Sequence, residues 1–283
     1  MHLATWNVNS LSVRLPQVLD WLAAHPVDVL ALQELKLTDD KFPADALARA
    51  GYTAAWFGQK TYNGVALLVR LPGAIAQVQR NIPGFDDGQA RVIAATVLPA
   101  TGAEPLRVIS AYFPNGQAPG SDKFAYKLRW LQALRDWLAL ELARHPRLVL
   151  MGDFNITVDD ADVWDPEGLR ETIHCTGAER AALQALAELG LHDAFRLFPQ
   201  PPRSFTWWDY RQLAFPKNQG LRIDHIWISD ALKPLARACH IDRAPRKWKQ
   251  PSDHAPVVLT LDDHAAPDAA AKRDHGAADP ALA

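Results

Sequence analysis

Apolar positions along this chain alternate between unbroken runs and a 3.6-residue period, the pattern of strands interleaved with helices. Residues 3–8 open as a strand. Leu15, Val18, Leu19 and Leu22 follow at i, i+3, i+4 and i+7, which predicts an amphipathic helix. Residues 27–33 are nearly all apolar and predict a strand buried on both faces. Residues 52–57 with 65–69 suggest one strand pair. Residues 92–98 with 106–112 suggest another, joined by the turn-rich Pro99-Ala100-Thr101-Gly102. Phe124, Leu128, Leu131, Leu134, Leu138 and Leu142 keep helical spacing over many turns, and 147–151 return to strand. Thr176 and Glu179 fit a capping box, with Leu183, Leu186 and Leu189 continuing that helix. Residues 221–228 and 256–261 are the last predicted strands. Strand pairs mixed with helices predict two packed sheets with helices outside. No linker breaks the pattern, so one domain over 1–262 is expected. Residues 263–283 are rich in Ala and Asp, lack periodicity and read as a disordered tail.

Composition narrows the class. The chain has 283 residues, 48% of them hydrophobic and 22% charged, which is ordinary globular usage. No apolar run approaches the ~20 residues of a membrane span. The N-terminus lacks a basic segment followed by an apolar one, so no signal peptide is expected. Two cysteines, Cys175 and Cys239, do not make a disulfide framework and suit a reducing cytoplasm. With 30 basic and 32 acidic residues, the net charge of −2 argues against a protein that coats nucleic acid. An enzyme with a local basic face remains compatible, because phosphate contact depends on where charge sits.

Candidate chemistry sits at predicted strand ends. Glu34 closes the buried strand, and its carboxylate suits a hard cation such as Mg2+ or Mn2+; a salt bridge to Lys36 is the plainer alternative. Asp153 and Asn155 follow the run Leu148-Val149-Leu150. On extended backbone they share a face with Phe154 packed behind, or they end the strand as an Asx turn. Asn7 stands near another strand end. Asp224 and His225 face opposite ways on a strand, so at most one serves a site. Asp224 is the natural partner of His254, in Ser252-Asp253-His254, and would stabilise an imidazolium there. Tyr112 leaves a further strand and can donate from its phenol or simply cap the core. The block 205–211, with Trp207, can form a pocket wall or core. The basic run 243–249 is either a phosphate contact or a solvated face, the second being the commoner case.

Taken in order, Trp6-Asn7-Val8-Asn9, Leu32-Gln33-Glu34, Gly64-Val65-Ala66, Tyr112-Phe113-Pro114-Asn115-Gly116, Gly152-Asp153-Phe154-Asn155, Arg222-Ile223-Asp224-His225 and Ser252-Asp253-His254-Ala255-Pro256 resemble the exonuclease III family of DNA-repair nucleases, which includes the abasic-site (AP) endonucleases. The resemblance covers about residues 1–262. It implies a four-layer α/β-sandwich, two packed mixed β-sheets flanked by helices. It implies Mg2+ or Mn2+ on Glu34, with Asn7, Asp253, Asp153 and Asn155 around the ion. Asp153 would activate water, Asn155 orient it, and Tyr112 and His254 bind the scissile phosphate with Asp224 behind His254. Trp207 would wall an abasic-sugar pocket, and Arg91 and Lys123 would lie near the DNA backbone. Ser10, Leu35 and His225 depart from the family's usual residues without removing any of these groups.

Ile173-His174-Cys175 is similar to a segment of bacterial members that resemble 3′-end exonucleases more than AP endonucleases. His174 there is expected either to block continuous DNA or to interact with the helix N-terminus. The resemblance implies an enzyme that hydrolyses the P–O3′ bond of double-stranded DNA, acting at 3′ ends, 3′-phosphates or abasic sites; a monomer is expected, since asymmetric grasp of a duplex needs no partner. The competing expectations are a phosphoesterase for a non-nucleic-acid substrate and an inactive DNA-binding protein.

Overall fold

The apolar runs at 27–33 and 147–151 become central strands of two sheets. The structure, a computed structural model, describes residues 1–99 and 103–262. The tail 263–283 and the turn centre 100–102 lie outside the described residues. The first sheet takes β1 (His2–Asn7), β2 (Val29–Gln33), β3 (Tyr52–Phe57) and β4 (Val65–Arg70). The second takes β5 (Ala74–Arg80), β6 (Val92–Leu98), β7 (Leu106–Tyr112), β8 (Leu148–Asp153), β9 (Leu191–Asp193) and β10 (Asp224–Ser229). The chain then returns to the first sheet with β11 (Ala236–Ile241) and β12 (Val257–Leu261). Among the described residues four α-helices connect them, α1 (Leu11–Ala24), α2 (Ala44–Arg49), α3 (Asp122–Arg144) and α4 (Gly177–Ala187).

Both sheets have six strands, in the orders β11-β12-β1-β2-β4-β3 and β5-β6-β7-β8-β10-β9. Each is antiparallel except for one central parallel pair, β1 with β2 and β7 with β8. A parallel pair needs a crossover, and α1 and α3 supply the two. One core lies between the sheets, where Leu3, Val29 and Leu67 meet Ile93, Val108, Val149 and Ile226. The alternate side chains point outward. Leu30, Leu32 and Leu68 are covered by Val18, Trp21 and Leu22 of α1, and Ile109 and Leu150 by Trp130, Leu134 and Leu138 of α3. This is the expected sandwich of two mixed sheets with helices on both outer faces.

The strands that periodicity missed are β5, β9 and β11, each at a sheet edge. An edge strand carries a weaker apolar alternation and is often charged. The sequence of β5, Ala-Ile-Ala-Gln-Val-Gln-Arg, has no buried residue. The capping box is present as expected: the Thr176 hydroxyl accepts from Glu179 N–H while the Glu179 carboxylate accepts from Thr176 N–H.

Because both parallel pairs run the same way relative to the shared core, their carboxyl ends meet at one rim. Asn7 and Tyr112 are last residues of β1 and β7, Asp153 is the last of β8, and Tyr112 is in register with Asp153. At Gly152 the backbone of β8 comes so close to β7 that a Cβ would lie 1.9 Å from the Ala111 carbonyl oxygen, and φ is +151°. Only glycine fits both conditions. Gly152→Ala is therefore expected to cost about 3 kcal/mol or more, or to prevent folding. Denaturant unfolding of the purified variant checks this, and a midpoint within error of the parent would refute it.

Candidate active site

Six strand ends bring the polar residues together. Asn7, Tyr112 and Asp153 end their strands, and Glu34 follows β2 directly. Asp224 opens β10 opposite Asp153, and His254 sits in the loop before β12. The Ser252 hydroxyl anchors that loop by donating to the Asn7 carbonyl at 2.7 Å. Asn7 is the junction. Its Nδ2 donates to Glu34 Oε1 at 2.8 Å and to Asp153 Oδ2 at 2.8 Å. His254 Nδ1 lies 2.8 Å from Asp224 Oδ2, and its Nε2 lies 3.7 Å from Asp153 Oδ2. One imidazole thus stands between two buried carboxylates.

Burial alone would push His254 down, but Asp224 and Asp153 outweigh it and hold the ring protonated, at about 10. Burial raises Asp153 to about 7, against the pull of His254 and of the Asn7 hydrogen bond. Tyr112 is pushed well above its usual value by burial and by the carboxylates of Glu34 and Asp153, so its phenol stays a donor. The site therefore offers a buried cation, a neutral hydroxyl donor and a carboxylate that can take a proton near neutrality.

Asp153 and Asn155 do not share a face by continued extension. Asn155 has φ +51°, and its N–H donates to Asp153 Oδ1 at 2.9 Å, so the Asx turn ends the strand. Asn155 Nδ2 donates to the Phe113 carbonyl at 3.1 Å, which leaves its Oδ1 with only a long 3.4 Å bond from Asn115. Phe154 packs behind as expected, stacked on Phe113 with ring centroids 4.2 Å apart.

Ligand atoms of Glu34, Asp153 and His254 lie within 4.8 Å of one another. Two carboxylates converging on one Asn7 donor form an oxygen-rich set that fits a hard divalent cation. The salt bridge to Lys36 also exists, 2.9 Å from Glu34 Oε2, and it offsets part of the same negative charge. Asn7 turns its NH2 toward the carboxylates and its oxygen toward Asn9 N–H. Asp253 stands outside this cluster. Its oxygens accept from Trp207 Nε1 at 2.9 Å and Asn9 Nδ2 at 3.0 Å.

Two cavities of about 530 Å3 line the same region. One is walled by Trp207, His174, Trp164 and Arg211, the other by Tyr112, Arg91, Lys123 and Tyr62. Lys123 is exposed there, whereas Arg91 is buried against the Tyr112 ring and donates to Gln89 and the Tyr112 carbonyl. His174 is buried with φ +74°, and its Nδ1 lies 2.6 Å from the Asn155 carbonyl oxygen. Its backbone N–H donates to Glu179 of the helix cap at 3.2 Å, so this segment does meet the helix N-terminus. His225 faces away from the site, onto Arg222 and the Ile156 carbonyl. In the basic run, Arg246 is neither solvated nor free for phosphate. It is buried against Trp208, Tyr210 and Phe215, where aromatic faces attract a guanidinium.

Asn9, Asn115 and Lys127 were given no role from sequence. For Lys127 a signal existed, since it falls on the apolar stripe of α3 between Phe124 and Leu131.

The sequence pattern of the endonuclease/exonuclease/phosphatase family matches residues 4–254. The chain is 35% identical to exodeoxyribonuclease III of Haemophilus influenzae over 266 residues, 91% of this chain and 98% of that protein. The solved 3′-5′ exonuclease NExo from Neisseria meningitidis superposes with TM-score 0.88 at 48% identity, covering 93% of this chain and 100% of that one. NExo is also described as a 3′ phosphatase bound to a product DNA hairpin. An AP endonuclease from Archaeoglobus fulgidus superposes with TM-score 0.86 at 32% identity, covering 93% and 99%.

The His254–Asp224 contact is directly testable. In Asp224→Asn the larger of the two negative neighbours is gone and burial pulls the ring down. The imidazole of the metal-free variant should titrate at least about one pH unit lower by NMR. An unshifted titration would show that Asp224 does not hold the charge.

Proposed function

The chain belongs to the endonuclease/exonuclease/phosphatase family, and from that membership we propose how it hydrolyses the P–O3′ bond of double-stranded DNA. It is a DNA-repair nuclease of the exodeoxyribonuclease III kind. The observation that carries the mechanism is the convergence of Glu34, Asp153 and His254 within 4.8 Å at the rim shared by both sheets.

Water attacks phosphorus in line with the leaving O3′. Asp153 takes the proton of that water, and the raised affinity of its buried carboxylate for a proton suits the task. Asn155 Oδ1 orients the water while its Nδ2 stays fixed on Phe113. The imidazolium of His254 and the phenol of Tyr112 donate to the phosphoryl oxygens, where charge grows in the transition state. Asp224 keeps His254 charged and correctly turned. Glu34 would be the principal ligand for Mg2+ or Mn2+, with Asp153 beside it, Asn7 and Asn155 around them and Asp253 outside that cluster. Ligation by Asn7 oxygen would require its amide to turn over. The ion, when bound, supplies Lewis-acid stabilisation of the developing charge. Trp207 walls the leaving-group side, and Lys123 and Arg91 lie along the other cavity, where the strand backbone passes.

We assign the preference to 3′ ends. His174 is pinned in the wall of the Trp207 cavity, where its ring would favour a terminal group over a continuing strand. The higher identity to the 3′-5′ exonuclease than to the archaeal AP endonuclease supports the same preference. No helix among the described residues is long and apolar enough to cross a membrane, and both cysteines are free. A monomer acting on DNA in the cytoplasm is part of the reading we propose.

End-labelled duplexes carrying a recessed 3′ end, a 3′-phosphate or an internal abasic site, incubated with Mg2+, test the assignment. The first two should be processed faster than the third. Asp153→Asn should lose about 10²-fold or more in all three while duplex binding persists. His174→Gly also suits the left-handed backbone there and should raise abasic incision by roughly tenfold. Absence of any gain would remove the gate, and near-parent turnover by Asp153→Asn would remove the base.

A further inference from the structure

We propose that the buried ion pair of Lys127 and Glu179 is a positioning device. It holds Asn155 and His174 as one unit and thereby sets the preference for 3′ ends over continuous strands. The preference itself rests on the gate assigned to His174 above.

Lys127 rises from the apolar stripe of α3 and is fully buried. Its ammonium has three protons and three acceptors: Glu179 Oε1 at 2.5 Å, the Asn155 carbonyl at 2.8 Å and the Asn115 carbonyl at 3.1 Å. Glu179, also fully buried, uses both oxygens. Oε1 additionally accepts from His174 N–H at 3.2 Å, and Oε2 accepts from the N–H and hydroxyl of Thr176 at 3.1 and 2.8 Å. One ion pair therefore grips the loop carrying Asn155, the loop carrying Asn115 and the segment carrying His174.

The Asn155 carbonyl is the shared node. It accepts from Lys127 and stands 2.6 Å from His174 Nδ1. A carbonyl cannot donate, so Nδ1 carries the proton. With that nitrogen engaged by a carbonyl that also takes the Lys127 ammonium, His174 acts by shape and position. His174 adopts left-handed backbone, φ +74°, which a histidine keeps only when its surroundings hold it, and Glu179 accepts from its N–H. Asn155, φ +51°, enters that region more readily. An apolar pair of similar volume would stabilise the core as well or better, so two buried charges here point to positional specificity.

The test uses Lys127→Met, Glu179→Gln and the double variant, with His174→Gly alongside. The double variant leaves no lone buried charge, and Glu179→Gln keeps an amide in the cap should the other two fail to fold. In the folded variants, kcat for 3′-phosphate removal should fall about tenfold at little-changed KM. The ratio of abasic incision to 3′-phosphate removal should rise about tenfold. The amides of His174 and Thr176 should exchange hydrogen faster. Parent values of kcat, ratio and exchange in a folded variant would overturn the proposal. If His174→Gly alone fails to raise abasic incision, the gate is wrong. The pair's positioning role then stands or falls on kcat and exchange.

Discussion

The two hydrogen bonds that Asn7 sends to Glu34 and Asp153 join everything else in this molecule. They link strand ends from different sheets, in a chain where Asn7 and Asp153 are 146 positions apart. They exist only because β1 and β8 carry their carboxyl ends to the same rim, and β8 reaches β7 closely enough only through Gly152. Sheet geometry and site geometry are therefore one constraint. A shift of one residue in β8 would send Asp153 to the opposite face of the sheet.

Burying carboxylates is unfavourable unless charge or hydrogen bonds compensate. Here the compensation is local. His254 stands between Asp224 and Asp153, Asn7 bridges Asp153 to Glu34, and Lys36 lies against Glu34. Asp224 Oδ1 is buried without a hydrogen-bond partner, so the His254 contact carries that residue's compensation. The set is poised for a reaction in which one carboxylate gains a proton and nearby oxygens gain charge. A second layer continues outward through Asn155 to Lys127 and Glu179, which hydrogen-bond to the segment that lines the Trp207 cavity.

Periodicity revealed the central strands and the long helices because they are buried on one or both faces. It missed β5, β9 and β11, whose edge positions carry little apolar signal. Beside plainer structural uses, the Lys36 salt bridge and the Asx turn, both of which form as well, the strand-end acids Glu34 and Asp153 were legible as candidates. Their convergence was not, because nothing local encodes that two parallel pairs share a rim. The i, i+2 rule failed at Asn155, where a left-handed residue ends the strand. Arg246 and Lys127 were misjudged or passed over for a common reason. A cation counts as solvated by default, and only the fold shows the aromatic cage or the carboxylate waiting for it.

The most direct measurement of the central claim is titration of Mn2+ into the DNA-free protein, followed by electron paramagnetic resonance, in the parent and in Glu34→Ala. If acids from both sheets hold one ion, Glu34→Ala should weaken binding by about tenfold or more with the fold intact. Equal affinity in the two proteins would contradict the account.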